Sequence, residues 1–337
     1  MDPLTHAISG VALARAFPKL RLPPKQVALL VLLTMAPDID VLLRLWSDDV
    51  YLHYHRGLTH SLLMLPLWGW LILALCSKRF AALATLPVYL IGLALLMHIG
   101  LDVITTFGTM ILAPLSDWRA SLDLVFIIDP LFSASLLLPL LCSLIWKQDA
   151  RSWGMLSLAM MCGYLGLAYH NQQQAIQLIK MAHPKAVTYH ALPMAFSPFH
   201  WQLIAQYPDS YARAAVNLRP EFSGTRHLFD KAFVSRLISN RMSSRDHIDW
   251  QTLPAMHSLK HWERVPGTAF YQWFARFPVL LKESDSMIEF GDLAYGGGVE
   301  GVDASFRLQV DKPSTASVKP PKAWLIWRGN RKTAITD

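Results

Sequence analysis

The chain has 337 residues, 53% of them hydrophobic and 16% charged, with a formal net charge of +7. Its length allows two domains, and its positive charge is scattered rather than gathered into a basic run, which argues against nucleic acid as a partner and for anionic lipid headgroups. Cys76, Cys142 and Cys162 all lie inside apolar runs, where cysteine acts as a small hydrophobe; they have neither metal-ligand spacing nor an obvious disulfide pairing.

The two halves differ. Residues 1–170 hold eleven Lys/Arg and ten Asp with no Glu, amid Leu, Ala, Ile, Met and Val, whereas residues 171–337 hold twenty Lys/Arg against fourteen Asp/Glu. This contrast predicts a membrane-embedded domain over 1–170 and a soluble extramembrane domain over 171–337. In chain order, residues 4–17 predict a short apolar helix, and 26–43 a second apolar segment interrupted by Ala36-Pro37-Asp38-Ile39-Asp40. A polar loop over 44–60 follows. Apolar runs at 61–76, 80–101, 122–146 and 152–169 come next, the third containing Asp129-Pro130. Four of these runs have, or nearly have, transmembrane length. The fold class expected is therefore an α-helical multi-pass membrane domain of five or six hydrophobic helices, followed by a strand-rich α+β domain.

If the segments alternate across a bilayer, eight cations (Arg15, Lys19, Arg21, Lys25, Lys78, Arg79, Lys147 and Arg151) share one side, against Arg44, Arg56 and Arg119 on the other. The positive-inside rule makes the first side cytoplasmic. The His and Asp residues at the segment edges then gather at the extracytoplasmic face. Past residue 170, Gln172 to Met181 predicts a helical extension. Residues 186–192, 199–204, 286–290 and 305–310 alternate with a period near two and predict strands. Gly296-Gly297-Gly298 predicts a turn, and 312–322 a loose tail.

The stretch His55-Arg56-Gly57-Leu58-Thr59-His60-Ser61 carries the strongest chemical signal. Neutral imidazole is the commonest protein ligand for zinc-like ions, and Arg56 adds a planar cation suited to phosphate or carboxylate. The alternative is a polar loop between two apolar helices. His98 and Asp102 stand i, i+4 on one helix face, so they can converge on one ion, or Asp102 can orient His98. In Asp38-Ile39-Asp40 the two carboxylates point to different sides, one as ligand and one in support. Acids at the edge of lipid are costly unless neutralised, which makes them functional candidates. Asp129 fits that description, or else it caps the helix that starts at Pro130. The absence of a cysteine ligand favours a catalytic over a structural zinc-type site, and more than one ion suits displacement at phosphorus.

Thr5-His6, Ala-Pro-Asp-Ile-Asp, His-Arg-Gly-Leu-Thr-His-Ser and His-x-x-x-Asp together resemble the membrane-bound metal-dependent hydrolase family typified by the bacterial YdjM and YfhP proteins, over roughly residues 1–135. The ligand pattern is similar to that of the zinc-dependent phospholipase C and S1/P1 nuclease group. The resemblance implies that His6, Asp40, His55, His98 and Asp102 ligate metal, and that His60 and Asp129 ligate or support. It also implies one to three divalent ions, zinc foremost, and a bacterial inner-membrane location. The function expected is hydrolysis of a phosphoester or other ester bond in a lipid-like substrate. In it, Asp38 or Asp129 acts as base and Arg56 holds the anionic group, with membrane lipids as partners. The alternatives are an ion- or proton-coupled transporter using the same buried groups, and a non-enzymatic envelope scaffold with a structural metal.

Overall fold

The computed structural model describes residues 1–17, 22–76, 85–146, 149–219, 242–243, 245, 247–258, 268–295, 306–312, 323–327 and 331–334. Its described helices are α1 (Pro3–Ala16), α2 (Pro24–Leu33), α3 (Asp48–Tyr54), α4 (Leu65–Cys76), α5 (Val88–Val103), α6 (Pro130–Ile145), α7 (Ala150–Ala182) and α8 (Thr268–Phe274). A ten-residue 3-10 segment, Ala36–Leu45, joins α2 to α3. Strands β1 (Thr188–Pro193), β2 (His200–Gln206), β3 (Ser210–Asn217) and β4 (Gln251–Pro254) form one antiparallel sheet in that order. Strands β5 (Pro278–Glu283), β6 (Met287–Asp292), β7 (Phe306–Asp311), β8 (Ala323–Trp327) and β9 (Arg331–Ala334) form a second.

The expected multi-pass helical domain does not form. Among the described residues no single helix is long and apolar enough to cross a membrane. The 26–43 run breaks after α2 and continues as the 3-10 segment, bent by 50° from it; the pair flanking residues 61–64 is bent by 80°. The runs at 80–101 and 122–146 yield 16-residue helices. At 1.5 Å per residue these span about 24 Å, short of a hydrocarbon core of roughly 30 Å. In the second run the helix cannot start before Pro130, because Asp129 caps it. α7 has 33 residues, but Ser, Gly, Tyr and the Gln172–Gln174 run dilute its apolar content. Hydropathy counts apolar length and is blind to these bends and caps, so the chain is a mixed α/β molecule with two sheets. Assigning faces by alternating spans loses its basis, and Lys19, Arg21, Lys78, Arg79 and Lys147 lie outside the described residues.

The strands expected from period-two alternation form as β1, β2, β6 and β7. The turn at Gly296–Gly298 and all of the 312–322 tail except Lys312 lie outside the described residues. α7 runs without a break through residue 170, and its last turns put Ala175, Leu178 and Ile179 against Trp201, Leu203, Ala212 and Val216 of the first sheet. In the helical half, α1, α5, α6 and α7 share a core of Ile8, Leu101, Phe132, Leu136 and Met161. The close approach of α1 to α2 requires Gly10, where an added Cβ would stand 2.8 Å from the Val31 backbone. In the second sheet Phe290, Leu308 and Leu325 pack with Tyr271 and Phe274 of α8, and against Tyr51 and Leu52 of α3.

Candidate metal centre

Three segments bring His and Asp to one point: the 3-10 segment supplies Asp38 and Asp40, the 55–61 turn His55 and His60, and α5 His98 and Asp102. α1 sets His6 beside them, its Nε2 3.4 Å from Asp102 Oδ1 but in neither ligand group. The 55–61 turn has a strained entry. Arg56 sits at φ +60°, a region costing a non-glycine residue roughly 1–3 kcal/mol unless its surroundings fix it. Here they do: its N–H donates to Asp40 Oδ2 at 3.0 Å and its carbonyl accepts from Met110 N–H at 2.9 Å. The next residue must be glycine, because a Cβ at Gly57 would stand 2.8 Å from the Tyr54 carbonyl oxygen.

Two overlapping groups have the spacing of metal ligands: Asp38, His60, His98 and Asp102; and Asp38, Asp40 and His55. In the first, Asp38 Oδ1 lies 3.6 Å from both His60 Nε2 and His98 Nε2, while Asp102 Oδ2 lies 3.1 and 3.4 Å from the same two atoms. In the second, His55 Nδ1 meets Asp40 Oδ1 at 2.8 Å.

The hydrogen bonds fix which ring nitrogens face inward. His98 Nδ1 is 2.7 Å from the Thr34 carbonyl, which can only accept, so the proton sits on Nδ1. Thr59 Oγ1 donates to Asp40 Oδ2 at 2.9 Å and therefore accepts from His60 Nδ1–H, also at 2.9 Å. With Nδ1 so engaged, both rings turn Nε2 toward one point, and the two Nε2 atoms are 2.9 Å apart. Two ring nitrogens and a carboxylate facing each other in a buried space need a proton or a metal cation between them. Two further observations agree. Asp102 Oδ2 and both nitrogens of His6 are buried without a hydrogen-bond partner, and the His6 ring stacks on His98 at 3.9 Å. A divalent ion held by nitrogen and oxygen ligands fits this donor set.

The electrostatics follow from burial against charge. Burial pushes His6 down to about 4, keeping it neutral. For His98 burial works the same way, but the neighbouring Asp102 and Asp38 carboxylates outweigh it and raise the ring to about 9. Asp102 is fully buried, which alone would raise its pKa; the Arg56 guanidinium leads the charges that hold it well below the ordinary range.

Arg56 itself is buried. Its Nη2 reaches Asp102 Oδ1 at 2.9 Å and its Nη1 the Thr105 hydroxyl at 2.9 Å, so its cation is engaged with a candidate ligand. The Met1 amino group also contacts Asp102 Oδ1. Asp129 belongs to neither ligand group: it caps α6 through Leu131 N and Phe132 N and accepts from the Tyr164 hydroxyl at 2.6 Å. Sequence reasoning missed Thr34 and Thr59 as the groups that orient His98 and His60. Thr59 lay inside the motif, but the Thr34 contact is made by a backbone carbonyl and leaves no signature in residue type.

A family model described as "YdjM inner membrane protein" matches residues 1–175. The uncharacterized protein YfhP of Bacillus subtilis (strain 168) is 31% identical over 138 residues, covering 39% of this chain and 42% of that protein. The match thus spans less than half the length of that curated relative. No solved structure matches the chain.

Proposed function

Because the chain belongs to the YdjM inner membrane protein family, we propose that it is a metal-dependent hydrolase of the inner membrane, cleaving a phosphoester or other ester bond. The observation that carries this reading is the pair of Nε2 atoms of His60 and His98, 2.9 Å apart, turned toward each other by the Nδ1 contacts to Thr59 and the Thr34 carbonyl. His60, His98 and Asp102 would hold one divalent ion, zinc or a similar metal. Asp38 is common to both ligand groups, and Asp40 and His55 would complete the second with it. When bound, such ions supply Lewis acidity and activate water for attack on an ester.

The chain's own residues have separable tasks. Asp38 is the exposed member of the first group, with a side chain 28% accessible against 0% for His60, His98 and Asp102. It is the side on which solvent water reaches the group, and its carboxylate would accept the proton of the attacking water. Arg56 holds Asp102 ionised and in place, and the likeness of the ligand pattern to the phospholipase C and S1/P1 nuclease group is part of this proposal. A structural ion is the second reading, favoured by the complete burial of three of the four ligands in the first group.

Elemental analysis of purified protein, beside His60→Ala and His98→Ala, tests the centre. At least one divalent ion per chain, lost in both variants, is the expected result. Turnover of bis(4-nitrophenyl) phosphate that disappears with chelator and returns with metal supports hydrolysis. Bound metal with no turnover but a melting point that falls on chelation points to the structural ion, and no metal at all overturns both readings.

A further inference from the structure

The 3-10 segment that delivers Asp38 and Asp40 has a second face. With three residues per turn, every third side chain is eclipsed, so Ile39, Leu42 and Leu45 align; they are 62%, 56% and 83% exposed. Trp46, 84% exposed, extends this apolar stripe. Beside it lies a cavity of about 430 Å³, walled by Leu42, Trp46, Leu58 and Trp68 and bounded at one side by Asp40 and Thr59. The Trp68 indole N–H donates to the Leu58 carbonyl at 2.8 Å, which turns its ring into a fixed wall. Asp40 therefore serves two spaces, since its carboxylate belongs to the ligand cluster and its residue also lines the slot.

We propose that this slot binds the hydrocarbon chain of an amphiphilic substrate, with the scissile phosphoester or ester at the Asp40 end. The inference rests on the hydrolase reading and adds the substrate class to it. Its volume is that of a small-molecule pocket. The Asp40 and Thr59 oxygens are already hydrogen-bonded inside the motif, to His55, Arg56 and His60. A sugar or nucleotide laid between leucine and tryptophan walls would leave hydroxyls unpaired at a cost that a hydrocarbon avoids. An apolar tail with one polar end matches a slot whose lining is mostly apolar and which shares Asp40 with the carboxylate–histidine cluster. An inner-membrane protein also meets such amphiphiles in its own bilayer. The continuity of the slot with the ligand cluster, through the adjacent residues Ile39 and Asp40, orients that occupant tail-out and head-in.

The test uses the full chain in amphipol with 11-(dansylamino)undecanoate as a fluorescent probe, displaced by butyl, octyl and dodecyl phosphate. In the wild type the half-displacing concentration is expected to fall by up to about fourfold for each added methylene until the slot is full. Leu42→Trp with Leu58→Trp fills the slot and is expected to weaken dodecyl phosphate at least tenfold. Leu42→Asp, at a position exposed enough to tolerate it, does the same by charge. Leu115→Trp, on an exposed leucine outside the slot, controls for the added indole. Binding that ignores chain length, or a chain-length dependence identical in the slot variants and the control, overturns the slot. Wild-type turnover of bis(4-nitrophenyl) phosphate, which has no alkyl chain, tests the hydrolase reading separately, so either can fail while the other stands.

Discussion

A neutral histidine has one N–H and one lone pair, and at His60 and His98 the fold has already placed the N–H. Thr59 is the smallest group in that arrangement and the easiest to test. Thr59→Val keeps the shape but removes the hydroxyl that orients His60 and bonds Asp40. Loss of such an outer contact typically lowers metal affinity about ten- to a hundredfold, and titration in metal buffers should show it, with zero change arguing that His60 is not a ligand. Protons compete for the same site. His98, raised to about 9 by Asp102 and Asp38 against the effect of burial, carries a proton at neutral pH in protein stripped of metal. An incoming ion must displace it, so affinity is expected to rise with pH by about tenfold per unit and to level off above about 9. The same shift has a stability consequence in the stripped protein. Its folded pKa lies above the unfolded value, so the stabilisation is complete below about 6.5 and is lost as pH rises toward 9. Melting temperatures across that window, with and without metal, check both signs.

At the level of elements, the turn after α3 is the most constrained piece of the site. Gly57→Ala puts a Cβ against the Tyr54 carbonyl and the Met110 methyl. It is expected to destabilise the protein by about 1–3 kcal/mol and to reduce bound metal, because His55 and His60 flank the displaced residue; denaturant melts and elemental analysis measure the two effects. This turn also shows what could be read in advance. His55, His60, Asp38 and Asp40 could be picked out by residue type and spacing, and His98 and Asp102 by their i, i+4 placement on a helix, so the gathering of these six was within reach. The engagement of Arg56 with Asp102 was not. It depends on two segments 46 residues apart and on a left-handed backbone that no propensity assigns to arginine. Nor was the helical architecture. The apolar run at 26–43 has the composition of a span, but the break at Thr34–Met35 turns it into two short pieces, and that turn is what carries the Thr34 carbonyl to His98.

On the scale of the whole molecule, the second half closes over the first. Arg276 forms a two-pronged pair with Asp123, at 2.6 and 2.9 Å, and reaches the Thr106 carbonyl at 3.0 Å. Asp123 in turn accepts from Ser121, whose hydroxyl also lies 2.7 Å from the Thr105 carbonyl. Thr105 is the residue whose side chain receives Arg56. α8 adds an aromatic contact, with Trp273 and Phe270 stacking on His53 of α3. Arg276→Met leaves Asp123 largely buried and unpaired. The expected cost is about 3 kcal/mol, less than for a fully buried pair broken on one side because both groups keep some contact with water. Adding Asp123→Asn should recover part of it, and a thermal-melt double-mutant cycle gives the coupling. Four strands of this half, β1, β2, β6 and β7, followed from alternation and the other five described did not. Closure over the 103–123 loop depends on pairings between residues some 150 positions apart, which local patterns do not encode.

Chain order gives this closure a timetable. Every candidate ligand has been synthesised by residue 102, whereas Arg276 comes about 170 residues later, a delay of roughly 10–35 s at 5–20 residues per second. For that interval the ligand-bearing segments exist on the nascent chain without the clamp that later covers α3 and the 103–123 loop. An ion arriving during translation would meet an open set of histidines and carboxylates, and one arriving afterwards a group in which Asp38 is the accessible member. The interval in which the candidate ligands stand open is thus set by the order of the sequence as well as by the geometry of the site.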